Sequence, residues 1–307
     1  MKKQDLKGFA NIIRPEGRTI MKSLIDTYEL ANGVRIPCLG YGTWQTPDSE
    51  TAVESVKKAI KAGYRHIDAA AIYGNEVSVG KGIREGIEEC CLSREDLFVT
   101  SKVWITERGY NKTIDAFEKS LSDLGLTYLD LYLIHWPANS HEFENWEEIN
   151  LESWRALTDL YKQKKVRAIG LSNFRPHQMA ALMKTEIPPM VNQIEFHPGY
   201  TQNEITGFCK ENNIVVEAWS PLGCGRVLSY EPLVQIAEHY SKSVAQVCLR
   251  YVMQCGVIPL SKSVTASRIV ENSDIFDFEI TKEDMKKIND FPEIGYSGLD
   301  PDTFMGN

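Results

Sequence analysis

Four residues of types able to hold or move a proton, Asp68, Tyr73, Lys102 and His135, each stand at or just past the end of a short apolar run. The runs read Arg65-His66-Ile67-Asp68-Ala69-Ala70, with Tyr73 following, then Thr100-Ser101-Lys102-Val103-Trp104 and Leu133-Ile134-His135-Trp136-Pro137. Singly, each has a plain structural explanation: Asp68 and Lys102 as an ion pair, His135 as a hydrogen-bonded core histidine. Together they make a proton-transfer set. A buried lysine charge beside a phenol favours the phenolate, so Lys102 is expected to lower the Tyr73 pKa from its usual ~10. A carboxylate next to the lysine keeps it charged despite desolvation. The outcome is a tyrosine able to give its proton to a developing alkoxide near neutral pH. A nearby histidine can orient and polarise the carbonyl by hydrogen bonding.

Such a set needs elements that end side by side. Apolar strand candidates fall at 37–42, 65–69, 97–102, 129–135, 166–172, 190–195, 214–218 and 256–260. Helical periodicity lies between them, as at 50–62, 113–124, 151–163 and 203–212. Repeated strand-helix order implies a parallel sheet, because each crossover requires a connecting helix. Eight units of near-even spacing point to an α/β (β/α)8 TIM barrel rather than an open doubly wound sheet. The barrel's C-terminal face is where such residues would gather. Asn32-Gly33 predicts a hairpin ahead of the barrel. Extra helices are expected at 231–240 and from Thr281, whose Thr-Lys-Glu-Asp run resembles a capping box. No linker divides the chain, so residues 21–307 read as one barrel, preceded by an extension over 1–20 whose disorder or docking stays open.

Composition narrows the classes further. With 34 Lys+Arg against 42 Asp+Glu the net charge is −8, which disfavours a broad nucleic-acid surface. No apolar run reaches the roughly 20 residues of a membrane span. The first twenty residues carry no apolar core of a secretory signal. Seven cysteines without CxxC spacing suggest neither zinc nor a disulfide framework, and a reducing cytoplasm is the natural expectation. The strand ends offer Lys, Tyr and Asn rather than His/Asp clusters. Residues 141–150 are acidic and aromatic, read as a loop over the site, and fit no zinc spacing. No metal is expected.

At these residues the chain resembles the aldo-keto reductase family, and among its members the prokaryotic broad-specificity ones. The match is carried by Asp68, Tyr73, Lys102 and His135 and by the flanking Gly63-Tyr64-Arg65-His66-Ile67-Asp68, Tyr73-Gly74-Asn75-Glu76 and Val79-Gly80. It extends from about residue 26 to 304. The resemblance implies NADPH-dependent reduction of a small carbonyl compound: an aldehyde, a glyoxal, or an α-keto or diketo compound. No GxGxxG follows a strand, so the cofactor would lie across the barrel top instead of on a Rossmann site. The resemblance assigns Ser172, Asn173 and Gln193 to the nicotinamide carboxamide, Trp219 to stacking on the ring, and Ser220-Pro221-Leu222-Gly223 to the pyrophosphate. It assigns Lys262, Ser263 and Arg268 to the 2′-phosphate and Glu271 and Asn272 to the adenine. Gly42, Thr43, Trp44 and Asp68 would also border the cofactor. Trp44, Trp104 and Trp136 with Tyr73 and His135 would line an aromatic substrate pocket. A monomer with no nucleic-acid or membrane partner is expected. One rival remains, a cofactor-holding regulatory subunit of a channel, since such proteins share the fold and the four residues.

Overall fold

The short apolar runs pair in parallel around a ring. The computed structural model describes the backbone of Ile12–Ile13 and residues 21–306. In chain order its strands are β1 Ile12–Ile13, β2 Thr27–Glu29, β3 Arg35–Pro37, β4 Gly40–Gly42, β5 His66–Asp68 and β6 Phe98–Val103. They continue with β7 Leu129–Ile134, β8 Val166–Ser172, β9 Val191–Glu195, β10 Val215–Trp219 and β11 Ile258–Ser261. The last eight form a closed barrel in the order β10-β11-β4-β5-β6-β7-β8-β9, every pairing parallel. Each residue of β6 and β7 is buried, as strands must be when side chains fill the ring and helices cover its outside.

The covering helices are α1 Glu50–Lys61, α2 Glu76–Glu89, α3 Tyr110–Leu124, α4 Trp146–Lys162, α5 Pro176–Met179, α6 Asn203–Glu211, α7 Glu231–His239 and α8 Val244–Gln254, with α9 Ala266–Ser273 and α10 Lys282–Asn289 closing the chain. In α1 the buried positions Ala52, Val53, Val56, Ala59 and Ile60 recur at three- and four-residue spacing, so one face meets the barrel. Ser49 caps it by accepting from the Thr51 amide. Gly80 in α2 lies where a Cβ would come within 2.0 Å of the Leu124 carbonyl oxygen, so only glycine lets α2 close on the end of α3. Thr281 caps α10 through the Asp284 amide, in line with its capping-box sequence.

The differences from the expected boundaries have local causes. The first barrel strand is shorter than 37–42, because Pro37 belongs to the hairpin, where it pairs with Thr27. The Asn32-Gly33 turn uses a positive φ only at Gly33 (82°), within a loop closed by Leu30 N donating to Val34 O at 2.8 Å. Asn32 instead donates from Nδ2 to the Arg167 carbonyl at 2.9 Å, tying the hairpin to the entry of β8. Residues 141–150 are not a loop throughout, because α4 begins at Trp146. Asn150 is buried there, accepting from the Ala138 amide and donating to the Ala138 carbonyl. Ile12–Ile13 pairs with Thr27 and Tyr28 of β2; the rest of the expected extension over 1–20 lies outside the described residues.

Candidate active site

Parallel strands in register bring their C-terminal ends to one rim. Gly42 pairs with Asp68, Asp68 with Thr100, and Lys102 with Leu133. Asp68 therefore ends β5, Lys102 is the penultimate residue of β6, and His135 follows β7 directly. The loop holding Tyr73 is fixed from beneath. Gly74 (φ 65°) ends the turn Ala71–Tyr73, and Asn75 Nδ2 donates to the carbonyls of Thr43 at 2.9 Å and Thr46 at 2.8 Å. Glu76, also buried, accepts from Ser101 Oγ at 2.6 Å and Ser120 Oγ at 3.0 Å. The Tyr-Gly-Asn-Glu run thus builds the corner that presents the phenol.

Lys102 Nζ is fully buried and has all three hydrogens committed. It donates to Asp68 Oδ1 at 2.7 Å, to the Ala69 carbonyl at 2.9 Å and to Tyr73 Oη at 3.4 Å. The Tyr73 ring meets the His135 ring edge to face at 5.8 Å. Burial opposes the charge on Lys102, yet Asp68 and Tyr73 hold its pKa above the ordinary lysine value. His135 is pushed well below the ordinary imidazole value by burial and then by the Lys102 charge, so it is neutral. Its Nδ1 has no hydrogen-bond partner among the described residues.

The expected lowering of the Tyr73 pKa is not what the site produces. Desolvation of the phenol raises it, and the Lys102 charge pulls it back without cancelling that rise. Tyr73 is half-buried as a residue, and burial of its phenol outweighs the lysine charge. Tyr73 therefore carries its proton at neutral pH.

The remaining expected residues fall into separate groups on the same rim. Ser172 Oγ donates to the Gln193 carbonyl at 2.8 Å. Asn173, at φ 65°, donates from Nδ2 to the His135 carbonyl at 3.0 Å and accepts from Trp219 Nε1 at 2.7 Å, which fixes the half-buried indole. Gln193 Nε2 donates inward to Asp68 Oδ2, at 3.0 Å. After Trp219 the chain turns through Ser220, Pro221, Leu222 and Gly223, with positive φ at Ser220 and at Gly223, Cys224 and Gly225. Within the turn the amides of Gly223 and Gly225 donate to the carbonyls of Ser220 and Leu222, at 2.8 Å each. Lys262, Ser263 and exposed Arg268 cluster at the start of α9, with half-buried Glu271 and buried Asn272 one to two turns on. Lys262 Nζ donates to the Gln45 carbonyl at 3.1 Å, bridging the turn between β11 and α9 to the loop after Gly42-Thr43-Trp44.

The aromatic wall differs in membership from expectation. Trp104 meets His135 at 5.1 Å and Phe304 at 6.1 Å, and Phe304 stacks on Trp136 at 4.0 Å. Trp136 is thereby covered, while Trp44 stands outside these ring pairs and is 45% exposed. Phe304 was missed because nothing near the chain end marks it as part of a distant site. Glu217, buried beneath Asp68, was missed too, although an acidic residue inside Val215-Val216-Glu217-Ala218-Trp219 is a visible anomaly. Among the described residues no group of three or more His, Cys, Asp or Glu is placed to hold a metal ion.

An eight-stranded parallel barrel with a buried Asp-Lys-Tyr set and a neutral histidine at its C-terminal rim defines a class of carbonyl-directed oxidoreductases. A family model described as the aldo/keto reductase family matches residues 38–293. The chain is 51% identical over 284 residues to the glyoxal reductase of Bacillus subtilis, covering 92% of this chain and 99% of that one. It is 52% identical over 276 residues to the uncharacterized oxidoreductase YtbE of the same species, covering 90% and 96%. The structure of a Bombyx mori aldo-keto reductase in complex with NADP superposes with a TM-score of 0.81 at 35% identity, covering 91% and 96%. This chain belongs to the aldo/keto reductase family and is an oxidoreductase acting on carbonyl groups.

Proposed function

We propose that this protein reduces small aldehydes and related carbonyl compounds with NADPH, using Tyr73 as the proton donor. The observation that carries the reading is the placement of Lys102 Nζ between Asp68 Oδ1 (2.7 Å) and Tyr73 Oη (3.4 Å), with neutral His135 against the same phenol ring. NADPH, when bound, supplies the hydride. The donor set on the rim fits it: Ser172 and Asn173 for a carboxamide, the fixed Trp219 indole for a flat ring, and the turn from Ser220 to Gly223 for a pyrophosphate. Lys262, Ser263 and Arg268 suit the 2′-phosphate, and Glu271 and Asn272 the adenine edge. The NADP complex of the Bombyx mori relative supports the choice of cofactor.

The chain's own work is proton management. Tyr73 holds a proton that burial keeps on the phenol, and releases it to the carbonyl oxygen as negative charge develops there. Lys102, fixed by Asp68, limits the cost of the phenolate left behind. Neutral His135 donates a hydrogen bond to the same oxygen and fixes its orientation. Trp104 and Phe304, with Tyr73, form an apolar wall suited to a small compound, and Trp44 borders the entrance. Similarity to a glyoxal reductase favours glyoxals and α-dicarbonyls within the wider set of aldehydes and α-keto compounds. The test is steady-state NADPH oxidation against a panel of glyoxals, simple aldehydes and α-keto acids. Turnover with none of them, despite tight NADPH binding, would favour a cofactor-holding regulatory protein.

A further inference from the structure

Beneath the proton-transfer side chains lies a second buried layer. Glu217 is the third residue of β10 and is fully buried. Its Oε2 accepts from Gln193 Nε2 at 3.0 Å, and the same amide nitrogen donates to Asp68 Oδ2 at 3.0 Å. Its Oε1 has no hydrogen-bond partner among the described residues and lies 3.6 Å from His66 Nε2, which is itself 3.0 Å from Thr100 Oγ1. The titratable and charged groups facing Glu217 are His66 and Asp68 from β5 and Lys102 from β6. The flanking strand β9 brings the Gln193 amide, and β11, Ile258-Pro259-Leu260-Ser261, brings no charge.

An ionised Glu217 would be a second carboxylate beside Asp68, fully buried and with a single donor. That arrangement is costly unless a cation is free to pair with it. None is. Lys102 has spent its three hydrogens on Asp68, Ala69 and Tyr73, and His66 is held neutral by burial and then by Lys102, which push it down to about 3. A neutral Glu217 keeps the Gln193 hydrogen on Oε2, carries its own proton on Oε1 towards neutral His66 Nε2 at 3.6 Å, and removes the second negative charge from beside Asp68. Burial, and then the Asp68 charge, accordingly raise the carboxyl to about 8.

We propose that Glu217 is a positioning residue of the reductase site: as a neutral acid it fixes Gln193 against Asp68, and losing its proton puts a second negative charge beneath Lys102 and Tyr73 that slows proton donation. The inference rests on the reductase reading above. Gln193 is the lever, since both hydrogens of its amide are held by the two carboxyl groups.

Two readouts test this on the full-length protein. In kcat for NADPH-dependent reduction of methylglyoxal across pH 6–10, the parent should decline with a midpoint near Glu217's own ionisation. Glu217→Gln keeps the shape and removes the titration, so its decline should move up by about one pH unit or more, making kcat at pH 9 about tenfold less depressed relative to its own neutral value. Glu217→Ala, which releases Gln193, should lower kcat more than it changes KM, and Glu217→Gln should restore most of that loss. The second readout is thermal melting without cofactor or substrate. A carboxyl raised on folding contributes stability that is full below its unfolded pKa and lost as pH rises through its folded one. The parent should therefore lose stability relative to Glu217→Gln between about pH 4.5 and 8. Parallel melting curves overturn the neutral Glu217. A shifted melting curve with an unmoved kcat profile overturns its influence on the site. A parent that reduces no carbonyl removes the reductase reading, and this proposal with it, while the melting curves still report the charge on Glu217.

Discussion

Tyr73 is asked to give up a proton from a place where burial makes it reluctant to do so. Desolvation outweighs the Lys102 charge in the resting site, so the lysine serves to limit the rise rather than to produce a reactive phenolate. Tyr73→Phe should lower kcat by about 10²–10⁴-fold, the range of general acid catalysis, while leaving NADPH binding nearly unchanged by fluorescence titration. Near-normal turnover of an unactivated aldehyde by that variant would remove Tyr73 as donor. Lys102→Met should be comparably severe. It leaves Asp68 buried without its cation and should cost stability as well, which a melting curve separates from the catalytic loss. Lys262 and Arg268 bear on cofactor choice. A charge-assisted contact to the 2′-phosphate is worth about 1.5–3 kcal/mol, less where solvent screens it, as at exposed Arg268. The two together should favour NADPH over NADH by roughly a hundredfold. Arg268→Ala should weaken NADPH and spare NADH, so equal losses for both cofactors in dissociation-constant measurements would refute the assignment.

At the scale of elements, the chain end is fastened to the rim by the segments following β7 and β8. Arg175 pairs with Asp302 and, at 3.0 Å, with Asp300, while Gln178 Nε2 donates to Asp302 Oδ1 at 3.0 Å and Asn139 Nδ2 donates to the Phe304 carbonyl at 2.9 Å. These contacts hold the Phe304 ring over Trp136 and beside Trp104. Arg175→Ala should therefore raise KM for the carbonyl substrate several-fold with little change in kcat, because it loosens a wall and leaves the proton donor alone. A fall in kcat at unchanged KM would show that the segment acts on the chemistry instead. The hairpin of β2 and β3 is tied at the other end of the barrel, far from this rim by strand direction, through Asn32 to the start of β8.

For the molecule as a whole, charge burial sets the pH range. His66 and His135 are both held below the ordinary imidazole value, so the folded state binds fewer protons there than the unfolded chain. Stability is then full above about pH 6.5 and falls as pH drops, by up to about 1.4 kcal/mol per pH unit for each histidine. His66→Gln should flatten part of that acid loss in melting curves taken between pH 7 and 4; an unchanged slope would mean His66 is charged in the fold. No helix among the described residues is long and apolar enough to cross a membrane. Removing residues 1–20 should leave activity unchanged, since the described part of that stretch is the two-residue β1, paired with the hairpin and not with the rim.

Much of the fold was legible because a period-two or unbroken apolar run and a 3.6-residue helical face are local properties of the chain. β8 runs over Val166–Ser172, as its apolar run indicated, and Asp68, Lys102 and His135 could be placed at strand ends by counting along runs. The corner motif from Tyr73 to Glu76 was equally visible, although its work is to position the phenol. What the chain alone could not reveal depends on contacts between residues far apart in sequence. The sign of the Tyr73 shift is a balance between desolvation and one lysine, and burial is known only once the barrel closes. Phe304 reaches Trp136 across more than 160 positions, and Glu217 reaches Asp68 through Gln193, so neither pairing has a local signature. Sequence determined which chemistry was available at the rim. Closure of the barrel decided which groups lose their water, and therefore which of them carry a proton.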